Sequence, residues 1–137
     1  MTALPALTGR LSDGVIELRA IADWDIPEIL IAFQDDRDLA GNLGLKRPPS
    51  GAALGSEVEN DDAEREAGRV LRLTVVEPGR EDCRGRLVVS DVDWEARSAR
   101  VQIWIVPALR GRGLARRAVA LAAEWLRDRA GIEQLQG

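Results

Sequence analysis

Between Pro107 and Leu126 the sequence reads PALRGRGLARRAVALAAEWL, with Gly111 and Gly113 alternating with Arg110 and Arg112 before an apolar helical pattern starts. Arg116 and Arg117 follow, so four arginines fall within eight positions without one acid among them. The first N–H groups of a helix have no intrahelical partner, and the helix dipole adds roughly half a positive charge at that end. With no side chains at 111 and 113, those groups are reachable by something large and negative, and a phosphate or pyrophosphate is the natural ligand. The competing reading is a purely steric use of the glycines, with arginines that are merely solvated. The stretch has no lysine or hydroxyl residue where a G-x-x-x-x-G-K-[ST] P-loop needs them. The dinucleotide pattern G-x-G-x-x-G fails as well, because position 116 is arginine.

The elements that must hold this stretch follow from periodicity. Leu114, Ala118, Leu121, Ala122 and Trp125 recur at helical spacing and predict a helix buried on one side, while its many alanines allow close approach to a sheet. Val15 to Ala20 alternates as a strand. Asp25 and Glu28 fit a capping box ahead of a helix carrying Ile26, Ile29, Leu30 and Phe33. Asp35 to Leu45 suggests a short second helix, Lys46 to Ser56 a Pro- and Gly-rich loop, and Glu57 to Arg69 a polar helix with a solvated face. Strands are predicted over Val70–Glu77, Arg84–Asp93 and Ala99–Val106; connections this short imply antiparallel neighbours. The closing IEQLQG starts another strand. The order is α+β with antiparallel strands at its centre.

Composition bounds the function. A chain of 137 residues, 45% hydrophobic and 31% charged, suits one globular domain. Nineteen basic against 23 acidic residues give a net charge of −4, and aromatics are 4% of the chain, which argues against a nucleic-acid binder. Cys83 is the one cysteine and has no internal disulfide partner. Histidine is absent, which removes the commonest general base and metal ligand, so no metal is expected. The start MTALPALTGR does not read as a secretory signal, and no run approaches the ~18 apolar residues of a membrane span. A cytoplasmic protein without membrane attachment is expected.

Arg110, Gly113 and Ala115 form R-x-x-G-x-A directly after a strand ending WIVP. This resembles the Q/R-x-x-G-x-G/A acyl-CoA signature of the GNAT superfamily of N-acetyltransferases. SARVQIWIVPALRGRGLARRAVALAAEWL is similar to that family's fourth strand, pyrophosphate loop and third helix in unbroken order. VIELRAIADWDIPEIL resembles its first strand and helix, and RGRLVVSDVDWEARSARVQIW its central hairpin. The likeness covers nearly all of residues 1–137 and is strongest to the branch that acetylates ribosomal-protein N-termini (RimJ/RimL). It implies a mostly antiparallel mixed sheet flanked by helices. It also implies acetyl-CoA as co-substrate, its pantetheine arm paired with the backbone of Ile105 and Val106. The backbone of Arg110, Gly111, Arg112, Gly113, Leu114 and Ala115 would hold the pyrophosphate, with charge from Arg110, Arg112, Arg116 or Arg117. Trp104 lines the acyl site in this reading, or is plain core. Gly137 falls where the family's fifth strand starts, so the family's next helix, often bearing an Asn and a Tyr, and its last strands are not in the sequence. An unfinished sheet edge of that kind would favour a homodimer.

No catalytic acid or base is legible. Arg100 stands where some members of the family carry a glutamate, and Asp91, Asp93 and Glu95 are acids typical of a strand end and turn. An α-amine, with a pKa of about 7.7–8.0, is roughly a tenth or more neutral at pH 7, against about 0.04% for a lysine amine. A site without an evident base therefore suits α-amines. The expected function is acetyl-CoA-dependent acetylation of a primary amine, a protein N-terminus before a lysine or small amine. The alternative is a non-catalytic acyl-CoA-binding or assembly module.

Overall fold

The computed structural model describes residues 2–137. Six strands form one sheet in sequence order: β1 (Arg10–Ser12), β2 (Glu17–Ala20), β3 (Leu71–Val76), β4 (Gly85–Asp93), β5 (Ser98–Ile105) and β6 (Gln134–Gln136). Neighbours are antiparallel except for β5 and β6, which run parallel from Ser98↔Gln134 to Arg100↔Gln136. The helices are α1 (Ile26–Asp35), α2 (Leu39–Asn42), α3 (Gly51–Glu66) and α4 (Leu114–Ala130). No helix among the described residues is long and apolar enough to cross a membrane.

The alternation of the strands divides the sheet into two unlike faces. Leu18, Leu71, Leu73, Val75, Leu87, Val89, Val101 and Ile105 pack with Leu114, Ala118, Ala122, Trp125 and Leu126 of α4. Burying this much aliphatic surface, at about 25 cal/mol per Å2, makes that side the main source of stability. The opposite face carries Arg19, Arg72, Thr74, Arg86 and Trp104, and meets α1 and α3. There Phe33 lies edge-on to Trp104, ring centroids 5.9 Å apart.

The two central hairpin strands stand within one residue of their predicted ends, and α4 begins at Leu114, where the apolar pattern starts, and runs on to Ala130. Other expectations are corrected. Gly51–Ser56 is helix, not loop, because Ser50 after two prolines is an N-cap whose hydroxyl accepts from Ala53 N (3.0 Å). The polar helix also turns an inner face to the sheet: Glu57, Asp61 and Glu64 approach Arg72 within 4 Å. Asp25 does not cap α1 with its side chain. It is fully buried and accepts from Arg19 (2.6 and 3.1 Å), Thr74 Oγ1 (2.7 Å) and Ala22 N (3.1 Å). Glu28 accepts from Cys83 N instead (3.2 Å). Strand β1, not foreseen, closes a hairpin whose turn is tied by Asp13 Oδ1, the acceptor for Val15 N and Ile16 N (2.9 Å each).

Gly85 opens β4 opposite Ile105, and a Cβ there would lie 2.2 Å from the Trp104 carbonyl oxygen. Glycine is required by this approach. Gly85→Ala should lower stability by about 1–3 kcal/mol through overpacking, read as a lower urea midpoint; an unchanged midpoint would mean the hairpin can shift freely.

Candidate active site

Strand β5 ends at Ile105, a short 3-10 turn over Pro107–Leu109 follows, and α4 starts at Leu114. Between them Gly111 (φ +79°) and Gly113 (φ +73°) adopt the left-handed conformation. A Cβ at either would meet nothing within 4 Å, so backbone conformation rather than crowding demands glycine, and the space beside it is open. No side chain caps α4, and its first rung is Arg117 N to Gly113 O (3.2 Å). Among the described residues nothing accepts from the backbone N–H groups of Gly111, Arg112, Gly113, Leu114, Ala115 or Arg116. A row of six open donors at a helix N-terminus could hold an anion such as a phosphate.

The four arginines divide into two pairs. Arg110 Nε donates to Ile105 O (2.8 Å) and its Nη2 to Asp36 Oδ2 (2.6 Å), so this side chain braces the loop. Arg117 Nε donates to Asp13 Oδ2 (2.8 Å) in the β1–β2 turn. The Ile16 N–H, then those of Val15 and the Arg117 guanidinium, hold the Asp13 carboxyl below its ordinary value. Arg112 and Arg116 are exposed and have no acidic partner within 4 Å among the described residues.

A cleft of about 440 Å3 runs from this loop along the end of β5. It is lined by Ile105, Arg110, Gly111, Gly113, Leu114 and Ala115, joined by Ile103, Trp104 and Leu109, by Leu39 and Asn42 from α2, and by Leu43 just after it. Six of the eight cofactor residues expected from sequence therefore share one cavity. Arg112 is outside its lining but contributes an open N–H. Val106 lines a separate cavity with Cys83 and Arg84, and its N–H is already donated to Arg84 O (2.9 Å). Antiparallel peptide groups alternate in direction, so those of Ile103 and Ile105 turn to the other edge of β5. That edge lies beyond the last rung with β6 at Arg100, and an extended ligand can add to it there.

The acids considered from sequence lie at the far end of the β4–β5 hairpin. Asp93 Oδ1 accepts from Ala96 N (2.9 Å), Asp91 sits at φ +50° with Arg100 4.0 Å away, and Glu95 is exposed. None lines the cleft. Cys83 supplies no nucleophile: burial, then the Asp25 charge, push its thiol up to about 12. Sequence reasoning missed the contribution of α2 and the inward acids of α3. The spacing of Glu57, Asp61 and Glu64, four and then three residues, was the available signal for the latter.

The model of the acetyltransferase (GNAT) domain family matches residues 16–137, and the chain belongs to that family of amine-acetylating enzymes. No curated protein matches the sequence. Among solved structures, the acetyltransferase of Salmonella typhimurium that modifies the N-terminal serine of ribosomal protein L7/L12 aligns with a TM-score of 0.71 at 14% identity, over 90% of this chain and 71% of its own. The ribosomal-protein-S5-alanine acetyltransferase of Vibrio fischeri gives 0.73 at 14%, over 91% and 70%. The microcin C7 self-immunity acetyltransferase, solved with acetyl-CoA and AMP, gives 0.68 at 14%, over 89% and 71%.

Proposed function

We propose that the protein transfers the acetyl group of acetyl-CoA to a primary α-amine, such as a protein N-terminus. The observation that carries this is the row of six open N–H groups from Gly111 to Arg116, continuous with the edge of β5 beyond its last rung with β6, where Ile105 O accepts from Arg110 Nε. The pyrophosphate fits the row, and the extended pantetheine fits the edge at Ile103 and Ile105. Bound acetyl-CoA supplies an activated thioester. The chain's own part is to hold it, exclude water with Leu39, Leu43 and Trp104, and admit a neutral amine. The absence of a legible base in the cleft favours α-amines, which are far more often neutral at pH 7 than lysines. The structural neighbours that act on ribosomal-protein N-termini support the same acceptor class.

The arginine division gives the test. Removing Arg112 and Arg116 together should weaken CoA binding by calorimetry about tenfold or more, an effect that shrinks as salt is raised. Arg117→Ala, whose side chain is engaged with Asp13, should change it less than about twofold. Acetylation of a peptide N-terminus should follow the same order. Equal losses in both variants would mean the phosphates lie elsewhere, and CoA binding without acetylation of any amine would overturn the enzymatic reading.

A further inference from the structure

A second cavity, of about 290 Å3, lies on the sheet face under α1 and α3. Leu43 and Trp104 line both it and the first cleft. Its apolar walls include Leu45, Pro49, Leu54 and Val70, and its charged lining is Glu57, Arg72 and Arg86. That volume is at the small end of ligand pockets, which suits a free small molecule better than a length of polypeptide.

Arg86 is the group left open. It is only 6% exposed, and its register on β4 sets it between Thr74 of β3 and Trp104 of β5. The Thr74 hydroxyl is given to Asp25 (2.7 Å). Arg86 Nη1 donates to Glu57 Oε1 (2.6 Å), but its buried Nε has no partner. A buried donor left unfilled is costly, and Nε with the neighbouring Nη2 is the edge of a guanidinium that takes a carboxylate with two parallel bonds. Inside the lining two arginines meet one acid, 2 − 1 = +1. Arg72 is answered from outside it by Glu64 (2.9 Å) and Asp61 (3.7 Å), so holding a ligand falls to Arg86. A carbonyl would fill the N–H alone. A carboxylate fills both bonds of the edge and brings the negative charge that the lining lacks.

We infer that the acceptor is an amine with a carboxylate of its own, a free apolar amino acid, its carboxylate on Arg86 and its side chain against Leu45, Pro49, Leu54 and Val70. Side chains directly opposed on antiparallel strands are about 4.5–5.5 Å apart at Cβ. A carboxylate on Arg86 therefore brings the amine, one carbon away, beside Trp104, which lines both cavities. There the amine nitrogen bonds to the acetyl carbon as the C–S bond breaks, and the proton it loses ends on the CoA thiol. This rests on the acetyl-transfer reading above and narrows its α-amine from chain termini to free amino acids. A chain terminus presents an amide where Arg86 takes an acid.

The test uses acetylated products, which carry no free amine and so no difference in basicity. By calorimetry, N-acetylleucine should bind the CoA-saturated protein at least about tenfold more tightly than N-acetylleucinamide. Arg86→Lys, with the charge but no fork, should bring that ratio within about threefold. Glu57→Gln, at a partly exposed position, keeps an acceptor for Arg86 Nη1 and removes the one acid of the lining. It should tighten binding of the acid about two- to tenfold and leave the amide within about twofold, which keeps the test decisive if Arg86→Lys folds poorly. Three results would overturn this inference alone, with CoA binding and acetylation of amines intact: wild type binding acid and amide equally or binding neither, an unchanged ratio in folded Arg86→Lys, or no tightening in Glu57→Gln. Failure of the wild type to bind CoA would overturn the acetyl-transfer reading and this one with it.

Discussion

Gly113→Glu is expected to reduce CoA affinity at least about hundredfold while leaving the fold in place. A left-handed conformation costs a non-glycine residue roughly 1–2 kcal/mol, and a carboxylate at a helix N-terminus returns about 0.3–1 kcal/mol of that. The net loss of stability is therefore near 1 kcal/mol. Binding suffers much more, because the new carboxylate sits on the row of N–H groups and faces the phosphates. Like-charge juxtaposition costs several kcal/mol, and every 1.4 kcal/mol is tenfold in affinity. Gly113→Ala, with the strain and no charge, separates the two effects: similar stability, far smaller loss of affinity. Calorimetry and thermal unfolding read both. If Gly113→Glu bound CoA like the wild type, the loop would not be the phosphate site.

The largest effect on stability belongs to Asp25→Ala. Its carboxylate takes two hydrogen bonds from the Arg19 guanidinium and one from the Thr74 hydroxyl, with no exposure to solvent. Removing it leaves a guanidinium 7% exposed with the carbonyls of Ala20 and Glu81 as its remaining close partners. Breaking a buried pair from one side costs about 3–5 kcal/mol, a large share of the 5–15 kcal/mol that holds most domains. Urea unfolding should show that loss, and Arg19→Met added to it should recover part. A loss below about 1 kcal/mol in the single variant would mean that Glu81, 3.9 Å from Arg19 but largely exposed, takes over the pairing.

These two sites differ in how far sequence exposes them. The loop of Gly111 and Gly113 is local: two glycines, a strand before and an amphipathic helix after are all within a few residues, and all were legible. The central hairpin was legible for the same reason. Asp25 is different, because its partner Thr74 is 49 positions away and its neighbourhood reads equally well as a helix cap. Glu57 and Arg86 are 29 positions apart, and a run of acids on a helix gives no sign that an arginine-bearing sheet face lies beneath it. The split among the four arginines was equally hidden, since Asp36 and Asp13 lie 74 and 104 positions away. Local pattern located the donors; long-range pairing decided which charges were free.

Arg110 ties the carbonyl of Ile105 to the carboxylate of Asp36, and Leu109 beside it is buried. Fixing a backbone residue takes roughly 1–2 kcal/mol of conformational entropy. Because this brace acts without any ligand, that ordering belongs to folding and not to association. In the proposed site the row of N–H groups is therefore aligned without a ligand, and the entropy lost on binding CoA would be chiefly that of the flexible ligand.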